Sequence, residues 1–196
     1  METTHLTPSH RPVLGIDIGR VIIGPVDDAG HADTTFLSGS PAQALATQPS
    51  PGAFDSIAQL TRAFAGAVWL VSKAGPRVQD KTRSWLDHWR FWSATGVPRG
   101  RLRFCLERPQ KADHCRELRI THFIDDRLDV LDHLHGLVPH LYLFGPQPRS
   151  TRPPPWAVPV VTWADALSAI LSTLEGCEGS GCTSAARDRS ARPDSG

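Results

Sequence analysis

The sequence has little of what would tie it to a membrane, a nucleic acid or an oxidising compartment. Its 21 lysines and arginines meet 20 aspartates and glutamates, for a formal net charge of +1. No overall charge excess therefore draws it toward nucleic acid or an anionic membrane surface. No stretch approaches the roughly 20 apolar residues needed to span a bilayer. The opening METTHLTPSHRP is polar and lacks the apolar run of a secretory signal, so a cytoplasmic location is expected. The cysteines, Cys105, Cys115, Cys177 and Cys182, form no CxxC pair. Two packed core thiols and two tail thiols are expected in preference to a zinc site. His114, His122, His133, His135 and His140 crowd one region beside Cys115, but at irregular intervals on different predicted elements. That pattern favours surface or cap roles over a metal cluster. There is no internal repeat.

Three regions separate by composition. Residues 1–11 read as a flexible polar arm, 12–174 as a single patterned core domain, and 175–196, EGCEGSGCTSAARDRSARPDSG, as a disordered tail without apolar periodicity. Within the core, short runs rich in β-branched or aromatic residues predict strands at 13–19, 67–72, 101–106, 121–126 and 140–145. Between them lie helical periodicities. Phe54, Ile57, Leu60 and Phe64 share one face; Val78, Thr82, Trp85, Trp89 and Trp92 share another; Leu128, Leu131 and Leu134 a third; Trp163, Leu167, Ile170, Leu171 and Leu174 a fourth. Near-continuous apolar strands alternating with helices predict an α/β, doubly wound, Rossmann-like three-layer fold around a parallel sheet.

In such sheets ligands bind at the carboxyl ends of the strands, beside a topological switch point. The first predicted strand delivers Asp17, the second Ser72 followed by Lys73, and the fourth Asp125 and Asp126; Lys111 stands in the loop before the helix preceding that fourth strand. Carboxylates from two strands suit Mg²⁺, a hard cation that takes oxygen ligands. A lysine and a hydroxyl can then orient a phosphoryl group while a carboxylate attacks it. Each residue alone has a bland alternative: Asp17 can simply end a strand, Ser72 can cap the helix opened by Pro76, and Asp125 with Asp126 can cap the helix RLDVLDHL. Their conjunction at successive strand ends points to a site. Arg99, Arg101 and Arg103, beside Trp85, Trp89 and Trp92, form a basic and aromatic strip of the kind that binds nucleic acid. The helical spacing of the tryptophans favours packing instead, so no nucleic-acid partner is expected.

GIDIGRVI, WLVSKAG, RPQKADHC and HFIDDRLDVL resemble, in order and in strand context, the four motifs of the haloacid dehalogenase-like hydrolase superfamily, over about residues 12–146. The resemblance implies that Asp17 is a nucleophile forming a phosphoaspartyl intermediate. Ser72 and Lys73 would bind the phosphoryl group, and Lys111 would steady both. Asp17, the Gly19 carbonyl, Asp125 and Asp126 would hold Mg²⁺. GRVIIGPVDDAGHADTTFL would be the helical turn and hairpin flap that follows the first strand. The short connections after Asp17 and between Ser72 and Lys111 leave no room for a cap domain. An open site of that kind suits a large substrate or a partner protein that supplies the lid, and the partner expected is a phosphorylated small molecule or a phosphoprotein.

The pattern departs at Gly19, where most phosphatases of the superfamily carry an aspartate as general acid and base. A glycine carbonyl can face a metal but cannot move a proton, and general acid–base help is worth roughly 10²–10⁴-fold. Lys73, Arg20, Asp27, Asp28 or Asp33 are the nearby candidates to replace it. The expectation is therefore an Mg²⁺-dependent hydrolase or phosphotransferase, or else a catalytically impaired module that binds a phosphorylated ligand or partner.

Overall fold

The structure of the protein, a computed structural model, describes residues 11–24 and 34–178. Six parallel strands form its sheet: β1 Leu14–Ile16, β2 Val68–Lys73, β3 Leu102–Cys105, β4 His122–Asp125, β5 His140–Phe144 and β6 Ala157–Val160, in the spatial order β3-β2-β1-β4-β5-β6. The chain builds outward from β1 to β3, then crosses back to place β4 on the other side of β1. The switch point predicted to hold ligands thus lies between the carboxyl ends of β1 and β4. Ile16 pairs with Ile124, and the Asp17 amide donates to the Ile124 carbonyl at 3.0 Å. This register brings Asp17, just after β1, side by side with Asp125 at the end of β4.

The central strands β1 and β4 are buried on both faces, as parallel strands under helical layers must be. One face carries Leu14, Ile16, Leu70, Ile124 and Tyr142, covered by helices α3 Ala53–Ala63, α4 Pro76–His88, α5 Phe91–Thr95 and α8 Trp163–Glu178. The other carries Val71, Phe123, Leu141 and Leu143, covered by α6 Lys111–Glu117 and α7 Leu128–Leu134. The alternation follows from the period-two pleat. A Cβ on Gly15 would meet Phe123 ring carbons at 2.4 and 2.7 Å, so this position in β1 is glycine because the neighbouring ring lies against its backbone.

Several expectations change. β6 was not predicted: its sequence AVPV is short and holds a proline, which an edge strand tolerates. The helical face drawn through Trp85, Trp89 and Trp92 is broken between α4 and α5, where Arg90 adopts φ 54°. The tryptophans pack as expected, and the Trp85 and Trp89 indoles donate to the Thr47 and Leu45 carbonyls. The hairpin expected after Gly19 falls mostly at 25–33, outside the described residues. Its end is helical instead: α1 Thr34–Ser38 leads into α2 Pro41–Ala46, whose start is fixed by a Ser40–Gln43 capping box and Pro41. Helix α8 continues to Glu178, past the expected start of the tail at 175. Residues 1–10 and 179–196, with most of the expected arm and tail, lie outside the described residues, as do Asp27, Asp28, Asp33 and Cys182.

His122 is no surface or cap residue. It is buried at the amino end of β4, stacked on His140 with centroids 4.3 Å apart, and its ring nitrogens face Thr121 Oγ1 at 2.7 Å and Thr173 Oγ1 at 3.0 Å. Burial, with His140 alongside, holds its pKa down at about 3. Cys105 and Cys115 are free, buried thiols, as expected.

Candidate active site

Asp17 follows β1, and the turn after it is tightly held. Ile22 and Ile23 amides donate to the Ile18 carbonyl at 2.9 and 3.0 Å, Ser50 Oγ donates to the Gly24 carbonyl, and the buried Trp163 indole donates to the Val21 carbonyl at 2.9 Å. Arg20, at φ 60°, occupies the left-handed region in this turn. That conformation is costly for a residue with a side chain and persists only where surrounding contacts hold it.

Lys111 is the first residue of α6 rather than part of a loop. It is 2% exposed, and its ammonium donates to Asp17 Oδ1 at 2.7 Å and to Asp125 Oδ2 at 2.6 Å, with the Phe123 ring 5.7 Å away. The two carboxylates raise the lysine pKa above its usual range against the opposing effect of burial. Asp125 is fully buried. Desolvation pushes its carboxyl upward, while the Lys111 ammonium and the Arg127 amide, 3.0 Å from Asp125 Oδ1, pull it down. Asp126 is ion-paired with Arg20. Burial and the nearby Arg127 guanidinium lower the Arg20 pKa.

One carboxylate oxygen from each of Asp17, Asp125 and Asp126 lies within 4.8 Å of the others. Three buried oxygen donors at that spacing fit a hard divalent cation, without histidine or cysteine. Beside them opens a cavity of about 430 Å³, whose wall includes Asp17, Gly19, Ser72, Lys73, Lys111 and Asp126. The residues predicted for the site from four separate segments thus reach one cavity, except Asp125, which is buried off its wall and bonded to Lys111. Ser72 does not cap α4, whose N-cap is Gly75, and the hydroxyl-bearing residue is left on the cavity wall. Nor do Asp125 and Asp126 serve as the N-cap of α7, a position held by Arg127.

At Gly19 an added Cβ would meet nothing within 4 Å among the described residues, and no positive φ demands glycine. Two more wall residues escaped the sequence reading, Arg108 and Arg127. Both bond Asp129, at 3.4 and 3.0 Å respectively. RPQK and DDR carry these arginines next to Lys111 and Asp126, but only the fold shows that the two loops share a rim. The basic strip lies elsewhere: Arg101 and Arg103 stack over Trp69, and Arg99 over Trp92 and against Asp87.

No protein-family model matches the chain, and no curated protein matches its sequence. Among solved structures it is similar to a haloacid dehalogenase-like family hydrolase from Xanthomonas campestris, with a TM-score of 0.56 and 13% identity over 86% of this chain and 97% of that one. The chain has the fold of that hydrolase. At this identity the likeness concerns architecture alone.

Proposed function

We propose that the protein is a magnesium-dependent hydrolase or phosphotransferase acting on a phosphorylated substrate, with Asp17 as nucleophile. The observation that carries this reading is the junction of Lys111 with Asp17 and Asp125 at the β1–β4 switch point, beside a cavity that also exposes Ser72 and Lys73. Lys111 engages Asp17 Oδ1, which leaves Oδ2 to attack. Attack on phosphorus forms the Asp17 Oδ–P bond as the bond to the leaving oxygen breaks. Water then cleaves the acyl phosphate and returns the carboxylate with release of phosphate. Ser72 and Lys73 orient the non-bridging oxygens, and Lys111 holds the carboxylate in line.

Asp17, Asp125 and Asp126, with the Gly19 carbonyl, are the groups that would hold Mg²⁺, which when bound neutralises negative charge on the phosphoryl oxygens. Among the described residues no inserted domain covers the cavity, and α1 supplies part of its wall through Phe36 and Leu37. That openness supports a capless arrangement.

Gly19 supplies no proton, so departure of the leaving group depends on its own acidity. Aryl phosphates of acidic phenols and acyl phosphates should react far faster than sugar phosphates. Without a base for the second step, good substrates should show a burst of leaving group before slow turnover. A pre-steady-state series of aryl phosphates with Mg²⁺, on the natural protein and Asp17→Asn, tests this. Turnover abolished by the substitution supports the enzyme. The second reading, a phosphate-binding module with negligible turnover, is favoured by the same Gly19, and ligand binding without burst or turnover would establish it instead.

A further inference from the structure

Charge around the cavity is unevenly distributed. In its interior Lys111 and Arg20 face three carboxylates, those of Asp17, Asp125 and Asp126, a deficit of one positive charge that a divalent cation more than offsets. At the rim the balance is reversed. Arg108 and Arg127 share the single carboxylate of Asp129, and Lys73 has no ion-pair partner among the described residues. With a divalent cation in place, a phosphoryl dianion seated against Ser72 and Lys73 would still leave the arginine pair with its surplus charge. Electrostatic complementarity then calls for another anion.

The shape of the surface points the same way. A second cavity, of about 550 Å³, adjoins the first across the shared wall of Arg20, Asp126 and Arg127, and is lined farther out by Phe144, Gln147 and Pro148. Arg127 faces both spaces. Asp129 orients its guanidinium through Nε at 3.0 Å and that of Arg108 through Nη1 at 3.4 Å. Both arginine side chains remain roughly two-fifths exposed, 39% for Arg127 and 43% for Arg108, so their remaining N–H groups are available to a ligand.

We infer that the substrate is a phosphomonoester carrying a second oxyanion, held by Arg108 and Arg127 at the rim of the first cavity, where Arg127 also faces the second. The inference rests on the phosphoryl-site reading above and names its substrate class. The second oxyanion is a carboxylate or another phosphate, both of which suit the planar fork of arginine.

The test is calorimetric titration of the full chain at fixed free Mg²⁺ with three non-hydrolysable probes: methylphosphonate, phosphonoacetate and methylenediphosphonate. At least one two-anion probe should bind ten-fold or more tighter than methylphosphonate. In Arg108→Gln and in Arg127→Gln, which keep the side-chain stems, that ratio should fall toward one. A gain with phosphonoacetate identifies a carboxylate as sufficient, and a gain with methylenediphosphonate alone identifies a second phosphate. Equal binding of all three probes, or a preference that survives both substitutions, overturns the inference and leaves the phosphoryl site intact. Failure of methylphosphonate and the other probes to bind at all would instead remove the phosphoryl site, and this inference with it.

Discussion

Arg20 is ion-paired with Asp126 from a turn in which its backbone is held in the left-handed region. A permanent cation therefore stands against one of the three carboxylates offered to a metal. It competes for the same charge and repels a second cation nearby. Arg20→Ala should tighten Mg²⁺ binding by about 3–10-fold, as removal of one partly exposed like charge is worth on the order of 1 kcal/mol. The same substitution should weaken phosphate, since Arg20 lines the cavity. Calorimetry with each ligand separates the two effects, and unchanged Mg²⁺ affinity would mean that the guanidinium does not act on the metal position.

Lys111 is the counter-ion of two buried carboxylates, and its loss leaves them facing each other. Lys111→Met should cost about 3–5 kcal/mol without added Mg²⁺, the usual penalty for breaking a buried pair from one side. Adding Asp125→Asn should recover part of that loss, because it removes one of the stranded charges. Urea unfolding of the natural protein and both variants checks the order of stabilities. A double variant no more stable than Lys111→Met would show that packing of the lysine stem, not charge, sets the cost.

His122 should make the fold sensitive to mild acid. Its folded pKa of about 3 lies below the ordinary 6.5, so the unfolded chain binds the extra proton first as pH falls. The stabilisation is fully present above about pH 6.5 and is lost progressively between there and about pH 3. From pH 7 to pH 5 the loss attributable to this ring should be on the order of 2 kcal/mol. His122→Gln should be less stable at pH 7, through lost packing, yet show a shallower fall over that interval. Parallel slopes in urea unfolding at the two pH values would assign the acid sensitivity to other groups.

The five predicted strands were legible because each is a short β-branched or aromatic run bounded by turn residues. The site followed from them, since parallel strands deliver Asp17, Ser72 and Asp125 to one edge whatever the helices do. What stayed hidden depends on tertiary contacts. Val158 and Pro159 in β6 give no strand signal of their own, because only pairing with β5 makes that segment a strand. The break at Arg90 carries no glycine or proline to announce it. The burial of His122 arises from packing against Phe64, His140 and Thr173, all far from it in sequence. Arg108 and Arg127 carry no motif of their own, and only the fold sets them around Asp129.

The glycines on either side of Asp17 differ in cause. Gly15 is imposed by the Phe123 ring, and Gly15→Ala should cost about 1–3 kcal/mol by overpacking. Differential scanning calorimetry checks this, and an unshifted melting temperature would mean that the ring moves aside freely.

Gly19 has no comparable constraint, because a side chain there meets open space among the described residues beside the nucleophile and the backbone needs no positive φ. Gly19→Asp should therefore fold as the natural protein does, within about 0.5 kcal/mol. It would place a carboxyl on the cavity wall, able to protonate a departing oxygen and later to take a proton from water. Proton transfer of that kind is worth roughly 10²–10⁴-fold. The gain should be largest for alkyl phosphates, whose leaving groups bear charge poorly, and small for aryl phosphates of acidic phenols. The dependence of rate on leaving-group acidity should flatten, and the burst should vanish as hydrolysis of the phosphoaspartate accelerates. The measurement is the same aryl and alkyl phosphate series on the natural protein and on Gly19→Asp. A folded variant with alkyl phosphate turnover no faster than the natural protein's would show that proton transfer is not what limits the site, and would favour the binding module over the enzyme.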